Sequence, residues 1–305
     1  MRVLVLYGGR SVERDVSLVS GQACAEALQL KGHEATLFDM AGGVPALLAA
    51  LETRPDLLFN ALHGRWGEDG NVQGLLNLLG IPYTHSGLLA SALAMDKVMA
   101  KRLFTEAGLR CPDGLISDRA SLLAGDPLPR PYVVKPVAEG SSMGVVIVRQ
   151  GDKALPFSRD DWPFGDEVLV EPYIHGRELT VAVMGERPLA VTELRPRQGF
   201  YDYAAKYTEG KTDHLVPAPI DDSLYRQAME AALLAHQVLG CRGVTRADFR
   251  FDDRSEAGDA GGLYLLEVNT QPGMTPLSLV PEQATYCGIS FPDLVEWMAE
   301  RAQCD

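Results

Sequence analysis

The chain has 305 residues, 46% of them hydrophobic and 23% charged, with a formal net charge of −13. That length predicts two or three domains, and the balance of apolar and charged residues excludes extensive disorder and any need for disulfide or metal staples. No run approaches the roughly 18 apolar residues of a membrane span, and no basic cluster offers a face to nucleic acid.

The opening apolar residues 1–7 run straight into Gly8-Gly9, which predicts no signal peptide. Cys24, Cys111, Cys241, Cys287 and Cys304 are scattered and form no C-x-x-C, so they read as free thiols of a protein in a reducing cytoplasm.

Residues 2–7 (RVLVLY) form a strand that ends at Gly8-Gly9, and a helical pattern over 17–31 stops at Gly32. A strand over 35–38, a helix near 44–51 and a strand over 56–62 follow. Alternation of this kind predicts a parallel sheet with ligands beyond the carboxyl ends of its strands, where Gly8-Gly9 and His63-Gly64 fall. There is no G-x-G-x-x-G, so a dinucleotide site is poorly supported. A helix over 91–107 leads into Pro-containing sequence at 111–112 and 126–131. Strands over 132–135 and 145–148, joined by 136–144, and a third over 167–171 make a small α+β unit.

The polar stretch 195–213 has little to pack on a core and reads as mobile. A helix over 222–239 puts Leu224, Ala228, Ala231, Ala235 and Val238 on one stripe, closed by Gly240. Strands over 244–251 and 263–269 then pair as a hairpin across Gly- and Asp-rich sequence. The expected fold class is α/β and α+β, in units spanning 1–90, 91–177 and 178–305.

Strand side chains alternate faces, which assigns Arg246, Asp248 and Arg250 to one face and Leu263, Leu265, Glu267 and Asn269 to one face of the partner strand. Brought together, Asp248, Glu267 and Asn269 are hard oxygen ligands, the kind Mg²⁺ takes while keeping waters and substrate phosphates. A half-exposed sheet face with Arg246 paired to Asp248 or Glu267 fits the same spacing, and both readings stay open. Lys135, at a strand end beside the Gly- and Ser-rich segment 139–144, offers a cation and backbone N–H groups to phosphates, although an ordinary hairpin would look the same. Gly210-Lys211-Thr212 is not a P-loop, because Ala205 stands where its first glycine is required. Lys97 and Lys206 are further candidate phosphate cations, each by itself a typical surface lysine. His63 is either a hydrogen-bonded rim histidine or part of a site in the glycine-rich loop that follows it.

The segments GGRSVERDVS (8–17), ALHGRWGEDG (61–70), MDK (95–97), VVKP-x-x-EGSSMG (133–144), YDYAAKY (201–207), RADF (246–249) and EVNTQPGMT-x-x-S (267–278) together resemble the D-alanine–D-alanine ligases, an ATP-grasp family. The matches run in the family's order through nearly the whole chain. The resemblance implies a three-domain ATP-grasp fold: an N-terminal substrate-binding domain (1–90), a central domain (91–177) and a C-terminal catalytic domain (178–305), with nucleotide held between the last two. It implies a reaction in which ATP phosphorylates one D-alanine carboxylate and the amine of a second D-alanine attacks the acyl phosphate, for peptidoglycan synthesis. Two Mg²⁺ (or Mn²⁺) ions, a cytoplasmic location and a homodimer come with it.

Carried over by motif, Glu13 would hold the first D-alanine's ammonium, supported by His63. Lys97 and Lys135 would bind phosphates beneath Ser141 and Ser142; Glu171 and Ile174 would contact adenine, and Glu178 the ribose. Lys206 would reach the transferred phosphoryl group, and Tyr207 would fasten its loop to Ser141 and Glu13. Arg246 and the Gly273 N–H would face the oxyanion. Asp248, Glu267 and Asn269 would hold the metal ions, and Ser278 with the Leu279 N–H the second D-alanine's carboxylate. The Lys206-Tyr207 pair implies a dipeptide rather than a depsipeptide product. Gln271, in place of a commoner small residue, and Pro172-Tyr173, where a lysine is frequent, depart from the pattern. A ligase for another carboxylate, or an inactive nucleotide-binding relative, remains the competing reading.

Overall fold

The computed structural model describes residues 1–140, 144–152, 162, 165, 167–197, 210–254 and 262–305. Strands β1 (Arg2–Tyr7), β2 (Glu34–Asp39) and β3 (Leu57–Asn60) form a parallel sheet in the order β2-β1-β3. The apolar run of β1 suits a central strand covered on both faces, and Val3 through Leu6 are buried. Helix α1 (Arg14–Leu30) lies so close to β1 that a Cβ on Gly21 would stand 2.3 Å from that of Tyr7. Helices α2 (Gly43–Ala50) and α3 (Asn71–Leu79) complete this part.

The helix expected over 91–107 is two helices, α4 (Leu88–Met95) and α5 (Lys97–Glu106). Asp96 separates them in an extended conformation and accepts hydrogen bonds from the N–H groups of Val98 and Met99. An aspartate cap satisfies otherwise orphaned donors and so starts a new helix. Strand β4 (Leu115–Asp118), which the sequence reading omitted, is followed by α6 (Arg119–Ala124), β5 (Tyr132–Pro136), β6 (Val146–Val148) and β7 (Glu167–Pro172). These strands pair antiparallel in the order β4-β7-β5-β6.

The third sheet is antiparallel, in the order β10-β9-β8-β11-β12: β8 (Arg177–Met184), β9 (Arg187–Pro196), β10 (Thr212–Leu215), β11 (Val244–Phe251) and β12 (Leu263–Asn269). The two ends of the stretch read as mobile are ladder residues, with Arg195 paired to Asp213 and Pro196 to Thr212; residues 198–209 lie outside the described residues. Helix α7 (Asp222–Val238) buries Leu224, Ala228, Ala232, Ala235 and His236, while the predicted Ala231 and Val238 are only half-buried. Helices α8 (Leu279–Tyr286) and α9 (Phe291–Glu300) close the chain. One core cluster joins Val3, Val5, Leu28 and Phe59 to Met274, Val280, Leu294 and Met298. That shared core sets the carboxyl ends of β1 and β3 beside the end of β12.

Candidate active site

Strands β11 and β12 pair Arg246 with Asn269 and Asp248 with Glu267, then shift register so that Phe249 faces Leu265. The extra residue is Leu266. Leu263, Leu265 and Val268 are buried, while Leu266 and Glu267 both line the cleft. The predicted single face for Leu263, Leu265, Glu267 and Asn269 is therefore wrong. A bulge places two residues opposite one and turns the rest of the strand over; by this means Glu267 and Asn269 leave the core side and join Arg246 and Asp248. Arg246 grips Asp248 through two bonds, Nε to Oδ1 at 2.8 Å and Nη2 to Oδ2 at 2.7 Å. Thr180 of β8 donates to Asp248 Oδ1 at 2.6 Å. Lys97 Nζ is 3.6 Å from Glu267, and Asn269 Oδ1 accepts from the Gln271 N–H at 2.7 Å.

Two clefts meet over this hairpin, and Lys97, Glu139 and Glu267 line both. Lys97 is buried at the first position of α5 and donates to the Glu139 carbonyl. Burial holds its ammonium below the usual lysine range, against the pull of Glu267. The first cleft continues past Arg246 and Asn269 to Gly273, Ser278 and Leu279. Ser278 Oγ accepts from the Thr275 N–H at 2.9 Å, and Leu279 opens α8, where helix geometry leaves N–H groups without internal partners. A Cβ on Gly273 would stand 2.8 Å from Ser278 Oγ, so the glycine is what lets the chain pass.

Glu68, from the loop after β3, also lines this cleft. Glu13, His63 and Glu68 are all buried, and His63 lines a separate pocket with Gly8, Gly9 and Trp66. His63 lies between Glu68 (Nδ1 to Oε1, 3.4 Å) and Ser20 (Nε2 to Oγ, 3.0 Å). Glycines bring backbone against these acids: a Cβ on Gly64 would be 2.6 Å from Glu13 Oε2. On Gly140 it would be 3.2 Å from Glu13 Oε2 and 3.4 Å from Glu68 Oε2. Both buried carboxylates, Glu13 and Glu68, thus lie close to Gly140, which lines the cleft. Glu68 was not singled out from the sequence, although it lies within the glycine-rich loop that was.

The second cleft is lined by Lys135, Glu171, Tyr173, Ile174, Glu178 and Leu266, among others. Glu171 is sandwiched between Lys135, at 2.6 Å, and Lys101. Burial works to raise its pKa, but the two lysines outweigh burial and hold the carboxyl below the usual carboxylate range. Arg250 ties the cleft floor together: it pairs with Glu178 at 3.2 Å, donates to the carbonyls of Ile174 and Gly176, and lies over the Tyr173 ring. Neither Lys101 nor the bracing role of Arg250 was foreseen. Ser141, Ser142, Lys206 and Tyr207 lie outside the described residues.

Among the described residues no group of three or more His, Cys, Asp and Glu side chains is set to hold a metal ion. Asp248 and Glu267 contribute two carboxylates and Asn269 an amide, an all-oxygen donor set that fits a hard divalent cation; here the cationic groups of Arg246 and Lys97 face the carboxylates.

A family model described as D-ala D-ala ligase C-terminus matches residues 124–300, and one described as D-ala D-ala ligase N-terminus matches residues 44–86. The chain is 57% identical over 305 residues to a D-alanine–D-alanine ligase of Rhodospirillum rubrum, covering 100% of this chain and 99% of that protein. It is 58% identical over 306 residues to one from Paramagnetospirillum magneticum, with coverage of 100% and 99%. The crystal structure of the Bacillus anthracis D-alanine–D-alanine ligase aligns with a TM-score of 0.81 at 32% identity, covering 98% of this chain and 96% of that one. A second structure of that enzyme, complexed with ATP, aligns with a TM-score of 0.78 at 28% identity and the same coverage. Whole-length identity above one half, with family models matched at both ends of one chain, carries the conclusion: this chain belongs to the D-alanine–D-alanine ligase family.

Proposed function

We propose that this chain joins two D-alanine molecules, with ATP cleaved to ADP and phosphate, in the two adjoining clefts. The observation that carries the reading is the junction at Lys97 and Glu267, where a cleft lined by Tyr173, Ile174 and Glu178 opens into one that holds Glu68 and reaches the N-terminus of α8. A carboxylate is a poor electrophile at neutral pH, which is why a phosphoryl donor is consumed.

ATP enters the second cleft, its adenine against Glu171 and Ile174 and its ribose against Glu178. Lys135 and Lys97 take the phosphates, with Ser141, Ser142 and Lys206 proposed as further phosphate contacts and Tyr207 as the residue that fastens their cover. Glu13 takes the ammonium of the first D-alanine, with His63 supporting that site through Glu68, so the substrate's carboxylate points toward the hairpin. Ser278 and the Leu279 N–H take the carboxylate of the second, so its amine faces the acyl carbon. Arg246 and the Gly273 N–H then receive the charge that develops on the carbonyl oxygen. Asp248, Glu267 and Asn269 would hold two Mg²⁺ or Mn²⁺ ions, which neutralise phosphate charge when bound.

The three-part division at 90 and 177, a homodimer, a cytoplasmic location and a dipeptide rather than depsipeptide product are part of the same proposal. No described helix is long and apolar enough to cross a membrane. Phosphate release tests the reaction. It should require ATP and D-alanine together and stay at background with L-alanine; turnover with L-alanine, or ATP hydrolysis indifferent to both, would sink the proposal.

A further inference from the structure

Lys101 follows Lys97 by one helical turn on α5, yet it serves a different wall. Its ammonium contacts Glu171 Oε1, and the two side chains are 11% and 4% exposed. Lys135 holds the other oxygen, Oε2. The two lysines are not equivalent. Lys135 lines the cleft assigned to the nucleotide, whereas Lys101 lines a separate cavity behind it with Thr105, Cys111 and Gly114. Phosphates arriving in the cleft can draw Lys135 away from Glu171, but the acid itself stands between them and Lys101. Gly114 leaves the buried pair its space, since a Cβ there would lie 3.1 Å from both Lys101 Nζ and Glu171 Cγ. A carboxylate this enclosed would take up a proton and turn donor if both cations left it.

We propose that Lys101 is a positioning residue for nucleobase selection: by pinning Glu171 Oε1 it keeps the acid charged and aimed at the base while Lys135 serves the phosphates, so that the freed Oε2 accepts from an amino group and repels a keto oxygen. The inference rests on the nucleotide assignment of this cleft. An amino purine satisfies the fixed acceptor; a keto purine sets oxygen against oxygen, and a buried unpaired acceptor is costly. Lys101 touches no substrate, and its effect runs wholly through Glu171.

The test compares ATP with inosine triphosphate in the D-alanine-dependent reaction of the full chain. In Lys101→Met the ATP-to-inosine-triphosphate ratio of kcat/KM should fall by about tenfold or more, through KM for ATP, with KM for D-alanine held within about twofold; Lys101→Arg should recover most of the ratio. An unchanged ratio in folded Lys101→Met overturns the proposal. Should that variant fail to fold, Glu171→Gln is compared with the Lys101→Met/Glu171→Gln double variant, which removes both charges. Equal ratios in those two, both below that of the parent protein, support the proposal; a parent-like ratio in Glu171→Gln, or a further change on losing Lys101, overturns it. If the unmodified protein forms no ADP from ATP and D-alanine, the functional assignment has failed instead.

Discussion

Arg246 and Asp248, two residues apart on β11, form a bidentate ion pair at 2.8 and 2.7 Å. The proposed oxyanion donor thus holds a proposed metal ligand, and a metal ion bound by Asp248 would compete with the guanidinium for its oxygens. The pairing itself keeps two partly buried charges satisfied.

Replacing Arg246 by lysine keeps one positive charge but loses the planar fork. The expected result is a loss in kcat of about 10²- to 10³-fold, equivalent to about 3–4 kcal/mol of transition-state stabilisation. Steady-state phosphate release measures it. A loss confined to KM for ATP would reassign Arg246 to ground-state binding.

Gly273→Ala pushes a methyl group toward Ser278 Oγ, which stands only 2.8 Å from the Cβ position. Ser278 must then leave the Thr275 N–H, and the second D-alanine should bind about tenfold more weakly, a change of about 1.4 kcal/mol. Initial rates over a range of D-alanine separate the two substrate KM values. The KM of the second D-alanine should move, and that of the first should not.

Asn60 and Gln271, from sequence positions far apart, form a buried reciprocal amide pair. Asn60 Nδ2 donates to Gln271 Oε1 at 3.2 Å, and Gln271 Nε2 donates back to the main-chain carbonyl of Asn60. This contact is what the length of the Gln271 side chain reaches. Truncation to alanine strands buried polar groups of Asn60, a cost of about 1–3 kcal/mol. Urea unfolding should show a lower midpoint with an unchanged slope; an equal midpoint would mean the pair contributes nothing net.

His236 is buried on α7 and hydrogen-bonded to Thr245 Oγ1 at 2.8 Å, and burial pulls its pKa down to about 4. The unfolded chain titrates this group near 6.5, so it binds the proton first, and stability present above that pH is lost as pH falls toward 4. His85, pulled to about 3 chiefly by burial and then by His63, acts with the same sign. Stability should therefore fall by up to about 1.4 kcal/mol per pH unit for each histidine across this window. His236→Gln should flatten the pH dependence of the melting temperature between 6 and 4.5. A curve parallel to that of the parent protein would reject the assignment.

Much of the hairpin was readable along the chain. Both strands begin and end where period-two patterning put them, at Val244–Phe251 and Leu263–Asn269. The bulge was not readable, because Leu266 is as apolar as its buried neighbours and nothing in its type marks it as the residue without a ladder partner. The break between α4 and α5 had a local sign in Asp96, a good cap followed by a helical run. Glu68 and Lys101 had none. Each is an ordinary polar residue until a distant element covers it, and Glu171, the partner of Lys101, lies 70 residues away.

Alternating strands and helices, the order of the glycine- and charge-bearing segments, and the acidic, span-free composition follow from residue type and spacing alone, because patterning and backbone chemistry are local. Which charges share a cleft was decided only in three dimensions. Coulomb attraction and burial depend on distances between chain-remote groups, and the shared core that packs β1 and β3 against the end of β12 sets those distances.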